Sequence, residues 1–285
     1  MLDMLAENPF LLRAIIGVVL ASFASATMGS FTVLRGISFL TAEVAHAALG
    51  GAALGVFLQS TGIAPWIDPF YVATIFAVAT AIFTGYAGEK GYTIKMETAI
   101  GVAFAVSMSL AVTMMGLIPS EKLPKIWGYL IGDILLLTYE DITSLLIITT
   151  VVVILTTLFC REFAYISFDI EGAAASGLNV RAYHYAMIIL AALAIVVSTK
   201  TVGSILVYAF MVAPAATALE LASDIPSVMI ISLLLSLVCG LSGIALSLTV
   251  NLAPSGITGL ILSAIYLITI ILLPLIKKAK ERFHH

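Results

Sequence analysis

One short interruption organises this chain, and it reads SFDIEGAAASGLN over residues 167–179. It is the longest run of polar and small residues in a sequence that is otherwise nearly all apolar. Asp169 is suited to begin a helix, because its carboxylate accepts hydrogen bonds from the free N–H groups of a first turn. Glu171 falls within that turn, where the helix dipole favours negative charge. A helix is therefore predicted to begin directly after Asp169.

Two residues predict where this helix ends. Gly177 and Asn179 both suit a helix end, because Gly adopts the left-handed conformation at little cost and Asn tolerates it. The pattern predicts a short helix over residues 170–176, lying outside the bilayer between two membrane spans. We interpret the segment 167–179 as a docking element for another protein.

The composition predicts a membrane protein. The chain has 285 residues, of which 61% are hydrophobic and 10% charged, whereas a soluble domain carries about 25% charged residues. The formal net charge of −3 gives no indication of nucleic acid binding. Cys160 and Cys239 lie within apolar runs and are predicted to be buried thiols. We interpret His284 and His285 as a tag remnant and residues 1–283 as one transmembrane domain.

The apolar runs predict an all-α, polytopic architecture. A spanning helix needs about 20 mainly apolar residues. Nine runs approach this length, at 10–34, 42–60, 69–88, 98–118, 142–160, 183–199, 203–222, 227–250 and 256–276. A further run, 126–138, is too short to span and is predicted to form a re-entrant or interfacial helix, which needs protein to cover its backbone.

The distribution of Lys and Arg predicts the orientation, because cytoplasmic segments carry an excess of these residues. With nine spans and a cytoplasmic C-terminus, nine of the 13 basic residues fall inside and four outside. This orientation places the N-terminus outside. It also places the segment 167–179 in the cytoplasm.

Glu43 and His46 are the clearest ionisable residues within a predicted span, where such side chains usually face the bundle interior or a water path. They are three positions apart, so a helix places them on one face. A carboxylate with a neutral imidazole suits zinc, manganese or iron. The alternative is a mutually satisfied pair that only joins two helices. If the two residues do bind a metal, a complete site would need further ligands.

Pro214 and Gly203 are candidates for a gate or kink in the run 203–222. Pro214 has no N–H to donate to the carbonyl of Phe210, so this carbonyl is freed and the helix is predicted to bend. Gly203 adds flexibility near the start of the run. A bend beside a pore can gate it or expose a carbonyl to the substrate. A static kink that only aids packing is the alternative.

The chain lacks a Gly-x-x-x-x-Gly-Lys-Ser/Thr phosphate loop, so it has no recognisable ATP site of this type. It also lacks the His-Glu-x-x-His and Gly-x-Ser-x-Gly motifs of common membrane hydrolases. If ATP energises transport here, another subunit must bind it.

Three stretches together resemble a known family. They are LRGISFL (residues 34–40) running into Glu43 and His46, IEGAAASGLN (170–179), and VGSILV (202–207) followed by MVAPAATA (211–218). The chain resembles the permease, or membrane, subunit of the zinc/manganese/iron-type ABC importers over essentially its whole length.

The resemblance implies a fold like that of the vitamin B12 and siderophore importer permeases. It implies that two copies form the pore, that a separate cytoplasmic ATPase docks on a coupling helix, and that an extracytoplasmic protein delivers the metal ion. This chain would then be a transport subunit with no enzymatic chemistry or cofactor of its own. The segment 167–179 would form the coupling element, whose residues are Asp169, Glu171, Gly172, Ala175 and Gly177.

One position departs from the family pattern. The family usually has an acidic residue four positions before its histidine, where this chain has Ala42, and the acid here is Glu43. The metal role is thus carried over more firmly to His46 than to Glu43. The sequence leaves the choice among zinc, manganese and iron open, because their affinities for such ligands overlap. A metal chelate as substrate, and a stand-alone ion-coupled metal carrier, remain alternatives.

Overall fold

The computed structural model describes residues 8–89, 93–132 and 134–282, and every regular element in these ranges is a helix. The predicted tag remnant, residues 284–285, lies outside them. Twelve α-helices are described: α1 (Pro9–Leu34), α2 (Phe39–Ser60), α3 (Pro69–Glu89), α4 (Thr93–Leu117), α5 (Leu123–Ile131), α6 (Tyr139–Leu158), α7 (Cys160–Phe168), α8 (Ile170–Ala175), α9 (Val180–Val202), α10 (Val207–Leu221), α11 (Ile225–Val250) and α12 (Pro254–Arg282). Two 3₁₀ turns, Ser120–Lys122 and Ile134–Leu136, flank α5.

Eight of these helices are long and apolar enough to cross a membrane, namely α1 to α4, α6, α9, α11 and α12. The remaining predicted span, 203–222, corresponds to α10, which has only 15 residues. It begins later than predicted because Gly203 ends α9 with a φ of +87° and helical structure resumes only at Val207. The prediction of an all-helical polytopic protein with about nine spans is confirmed.

The centre of the bundle is formed by α2 and α9. In the most apolar stretch of each helix, 78% of the residues of α2 and 72% of those of α9 are buried, against 17% for α12. Small residues on α2 allow this burial. A Cβ on Gly55 would lie 2.7 Å from Cα of Pro69, and one on Gly51 would lie 2.9 Å from Cα of Ala73. Close approach of this kind is how helices associate in lipid, where apolar surface alone supplies little driving force.

One end of the bundle is closed by α5, and we call it the α5 end. The last carbonyls of α5 are satisfied by the chain after α9, because the amides of Ser204 and Ile205 donate to Tyr129 and Leu130 at 2.8 and 3.2 Å. The hydroxyl of Ser255 donates to the carbonyl of Ile131 at 2.8 Å. This helix was predicted within 126–138 but covers residues 123–131. At nine residues it is too short to span, as expected.

The opposite end carries α7 and α8, and we call it the α8 end. The sequence predicted a span over 142–160 and a short helix over 170–176, and it offered no prediction for the segment between them, which forms α7. Phe159 separates α6 from α7, and α7 packs on the bundle through Phe163, whose ring centroid lies 5.7 Å from that of Phe31. The successive helices α9 and α10 then run to the α5 end and back.

Candidate functional site

The short helix α8 begins as its capping residues predicted. Asp169 has an extended backbone, and its Oδ1 accepts a hydrogen bond from the amide of Gly172 at 2.8 Å. Glu171 lies exposed in the first turn. A Cβ on Gly172 would collide with the Asp169 carboxylate. The absence of a side chain at Gly172 is therefore part of the cap.

The helix ends in a Schellman arrangement, in which a left-handed residue lets two amides reach back to helix carbonyls. Gly177 has a φ of +86°. Its amide donates to Ala174 at 3.1 Å, and that of Leu178 donates to Ala173 at 3.2 Å. Gly177 thus forms the predicted stop. The same prediction was wrong for Asn179, whose side chain caps the start of α9 by accepting from the amide of Ala182.

One face of α8 is exposed. Ala173 is buried against the bundle, whereas Ala174 and Ala175 are exposed, as are the large apolar side chains of Phe168 and Ile170. Phe168 is 72% exposed and Ile170 52% exposed. An apolar surface of this kind at a bundle end suits contact with another protein.

Glu43 and His46 lie on α2 in the half of the bundle nearer α8, but the structure does not bring their side chains together. Glu43 is fully buried, and its Oε1 lies 3.0 Å from the Thr84 hydroxyl of α3. Its Oε2 is enclosed without a hydrogen-bond partner. His46 is half-buried, with its ring 4.6 Å from the ring of Phe104 on α4. The carboxyl therefore faces α3, and the imidazole faces α4.

One hydrogen bond defines the chemistry of His46. Its Nδ1 lies 2.8 Å from the carbonyl oxygen of Ala42. A carbonyl only accepts, so Nδ1 carries the proton and Nε2 of the neutral ring keeps its lone pair. Metal-ligating histidines commonly have this arrangement, in which the second nitrogen donates to a carbonyl or carboxylate. His46 can thus offer one ligand through Nε2.

A complete protein cage for a metal ion is not found among residues 8–89, 93–132 and 134–282, where no three His, Cys, Asp or Glu side chains cluster suitably.

The two gate candidates lie in different places. Pro214 is buried within α10, and the helix continues through it to Leu221. Gly203 lies at the α5 end, where its backbone is pressed against that of Gly132, which also has a positive φ, of +92°. A Cβ on Gly203 would collide with Gly132. Gly203 thus belongs to a tight joint between α5 and the α9–α10 turn.

A polar cavity of about 480 Å³, which sequence reasoning missed, opens at the α5 end. Lys200 Nζ lies 3.1 Å from Asp141 Oδ1 and 4.8 Å from the ring centroid of Tyr129. The Tyr129 hydroxyl is buried without a hydrogen-bond partner. Burial, together with the charges of Asp68 and Asp141, raises the pKa of Tyr129 well above its usual value. The sequence signal for this site was the pair of acidic residues at the start of the run 142–160, Glu140 and Asp141, and the single Lys200 just after the run 183–199.

These features describe a polytopic membrane protein, with eight membrane-length helices in the described ranges, a capped and exposed short helix at one end and a polar cavity at the other. The model of the ABC 3 transport family matches residues 7–273. The chain belongs to this family, which confirms the resemblance to metal-type ABC importer permeases.

Relatives match over nearly the whole chain. The manganese transport system membrane protein MntC of Listeria monocytogenes is 31% identical over 273 residues, which are 96% of this chain and 94% of the relative. The solved structure of PsaBC from Streptococcus pneumoniae in complex with Fab contains a chain with a TM-score of 0.81 and 28% identity, covering 94% of this chain and 93% of that one. An inward-facing transporter of the metal-chelate ABC type matches with a TM-score of 0.71 over 91% and 85% of the two chains, and at 15% identity it shows the fold alone.

Proposed function

We propose that this chain is the permease subunit of an ATP-driven importer of divalent transition metal ions, with manganese as the first candidate. Membership of the ABC 3 transport family and the likeness to MntC support the class and the metal. The observation that carries the proposal within the structure is the tautomer of His46, whose Nε2 is left available as a ligand. Zinc and iron(II) accept the same ligand type.

The partner that supplies ATP hydrolysis is proposed to dock on the segment 167–179. The support is the shape of this segment, which is capped at both ends and exposes Phe168, Ile170 and Ala175. The segment lies on the side that charge asymmetry assigns to the cytoplasm. An extracytoplasmic metal-binding protein is proposed to deliver the ion at the α5 end, and this orientation places the N-terminus outside.

The pore is proposed to form between two copies of the chain. His46 contributes a single ligand, and the described parts of the chain offer no cluster of three metal-binding side chains. A second copy adds a second imidazole, and water completes the coordination. Glu43 is left out of this proposed ligand set, because its carboxyl is directed to Thr84.

Reconstitution into liposomes tests this function. The chain is purified with the ATPase that copurifies with it, and uptake of radioactive manganese is measured with ATP or with a non-hydrolysable analogue. We expect accumulation only with ATP, and competition by zinc or iron(II) ranks the metals. Uptake driven by an ion gradient without an ATPase would instead identify a stand-alone carrier, and uptake restricted to a chelated metal would identify a chelate importer.

A further inference from the structure

Three buried polar residues on three helices form a connected set, which we call the polar link. They are Glu43 on α2, Thr84 on α3 and His184 on α9, with exposures of 0%, 0% and 8%. The Thr84 hydroxyl contacts Glu43 Oε1 at 3.0 Å. The Nε2 atom of His184 lies 3.4 Å from the carbonyl oxygen of Gly85, the residue after Thr84. Each member thus touches the helix of the next.

The packing around the polar link is tight. A Cβ on Gly85 would lie 2.5 Å from Cδ1 of Ile188 on α9, so α3 and α9 are in close contact beside His184. The Thr84 oxygen also lies 2.7 Å from the carbonyl oxygen of Thr80. The Thr84 hydroxyl is the donor in both contacts, so the Thr80 carbonyl and Glu43 Oε1 share its proton in a three-centre hydrogen bond. Glu43 thus acts as an acceptor that ties α2 to a hydroxyl held against the backbone of α3.

The two ends of the polar link lie beside the two functional elements. His184 is the fifth residue of α9, and α9 follows α8 after only four residues. Glu43 is three residues before His46 on α2. The link therefore connects the start of the helix that follows the docking element with the turn of α2 that carries the candidate metal ligand.

We propose that Glu43 is a positioning residue, which acts with Thr84 and His184 to transmit movement of the docking helix to His46, and that it is not itself a ligand. This inference rests on the proposed import function. Hydrogen bonds in the low dielectric of a bundle interior are strong, and a partner left unpaired there is costly. The three helices are thus expected to keep their mutual contacts at this level when α9 moves. Packed side chains and hydrogen bonds that join two sites are one physical route by which such coupling is carried.

The first test separates positioning from ligation in the reconstituted transporter. Manganese uptake and ATP hydrolysis are measured together for Glu43→Gln, Glu43→Ala, Thr84→Ser and Thr84→Val. Thr80→Val is the matched control, because its hydroxyl bonds only within α3, to the carbonyl of Phe76. Glu43→Ala and Thr84→Val are expected to lower the manganese moved per ATP by about threefold or more. The manganese concentration at half-maximal uptake stays unchanged.

The conservative variants decide the interpretation. An amide both accepts and donates, so Glu43→Gln preserves the contact with Thr84 and is expected to match the wild type, as is Thr84→Ser. A ligand role would instead make Glu43→Gln raise the half-saturating manganese concentration. That result, or equal coupling in Thr84→Val and Thr80→Val, would overturn the proposal.

A second measurement does not depend on transport. Backbone hydrogen exchange is followed in the purified full chain over residues 39–46 and 180–186. Thr84→Val is expected to speed exchange several-fold in both segments, because loss of one contact loosens both partners of α3. Thr80→Val is expected to leave both unchanged. If exchange responds in this way but no manganese moves, the import function fails and the link stands. If exchange at 180–186 does not respond, the link itself is wrong.

Discussion

His46 illustrates how much one backbone hydrogen bond decides at the scale of a residue. The contact with the Ala42 carbonyl assigns the proton to Nδ1 and leaves the lone pair of Nε2 available. Sequence reasoning selected this histidine from its rarity within a span, which is a local property. It could not select the environment of Glu43, because Thr84 lies 41 positions away in the chain. Spacing alone placed both side chains on one face, and packing then directed them to different helices.

Replacement of His46 tests its role as a ligand. His46→Ala is expected to reduce manganese uptake by more than about tenfold while the chain still assembles, because loss of a ligand outweighs loss of an outer contact. His46→Asn is the informative companion, since its amide can still donate to Ala42 but has no counterpart to Nε2. Both variants should be equally inactive in liposome uptake. Substantial uptake by either variant would remove His46 from the metal path.

At the scale of elements, the sequence predicted the helix ends that depend on neighbouring residues. It did not predict those elements that depend on contacts between distant parts of the chain. The start and stop of α8 depend on Asp169 and Gly177, whose partners lie within six residues. Such patterns can be read from sequence. The helix α7 was missed because its buried positions, Phe163 and Ile166, make sense only against α1 and the rest of the bundle. The end of α9 at Gly203 was likewise set by the backbone of Gly132.

The cap of α8 can be tested against a matched cap. Asp169→Ala removes the acceptor for Gly172, which costs about 1 kcal/mol of helix stability, and Gly172→Leu displaces the same carboxylate. Both are expected to weaken ATPase copurification and uncouple ATP hydrolysis from uptake. Asp224→Ala is the control, because Asp224 caps α11 through Ser227 at the same end of the bundle.

Comparing Asp169→Ala with Asp224→Ala separates a docking role of α8 from a general loss of stability. If Asp224→Ala impairs ATPase binding as strongly as Asp169→Ala, the effect reflects a general loss of stability. If neither variant changes binding, the segment 167–179 is not the docking element. Pull-down yield and manganese-stimulated ATP hydrolysis are the measurements.

At the scale of the whole molecule, the α5 end is held by a joint between two chain segments far apart in sequence. Gly132 and Gly203 contact each other through their backbones, and three donors satisfy the last carbonyls of α5. The all-helical architecture with about nine spans was predictable from hydropathy, but this joint was not, because each glycine alone is an ordinary helix end. Its rigidity bears on the proposed gating role of Gly203.

Alanine substitution measures this rigidity. Gly203→Ala must accommodate both a positive φ and a collision with Gly132, whereas Gly177→Ala, with a similar φ of +86°, has nothing within 4 Å of its Cβ. The strain of the left-handed backbone costs about 1–2 kcal/mol in either case. Gly203→Ala is therefore expected to lower the unfolding temperature clearly more than Gly177→Ala. Equal shifts in a thermal denaturation assay would show that the joint yields easily.

The helix α9 connects these two ends without interruption, from its cap at Asn179 to Gly203. Its 23 residues give a length of about 35 Å, at 1.5 Å per residue. A helix of this length amplifies small angles, since a tilt of about 10° about the glycine joint would move its far end by about 6 Å. Displacement is then greatest at the level of α8 and falls steadily toward the pivot. If α8 is the docking element as proposed, movement imposed there is expected to reach the turn that carries His46 with most of its amplitude, while the α5 end stays nearly still.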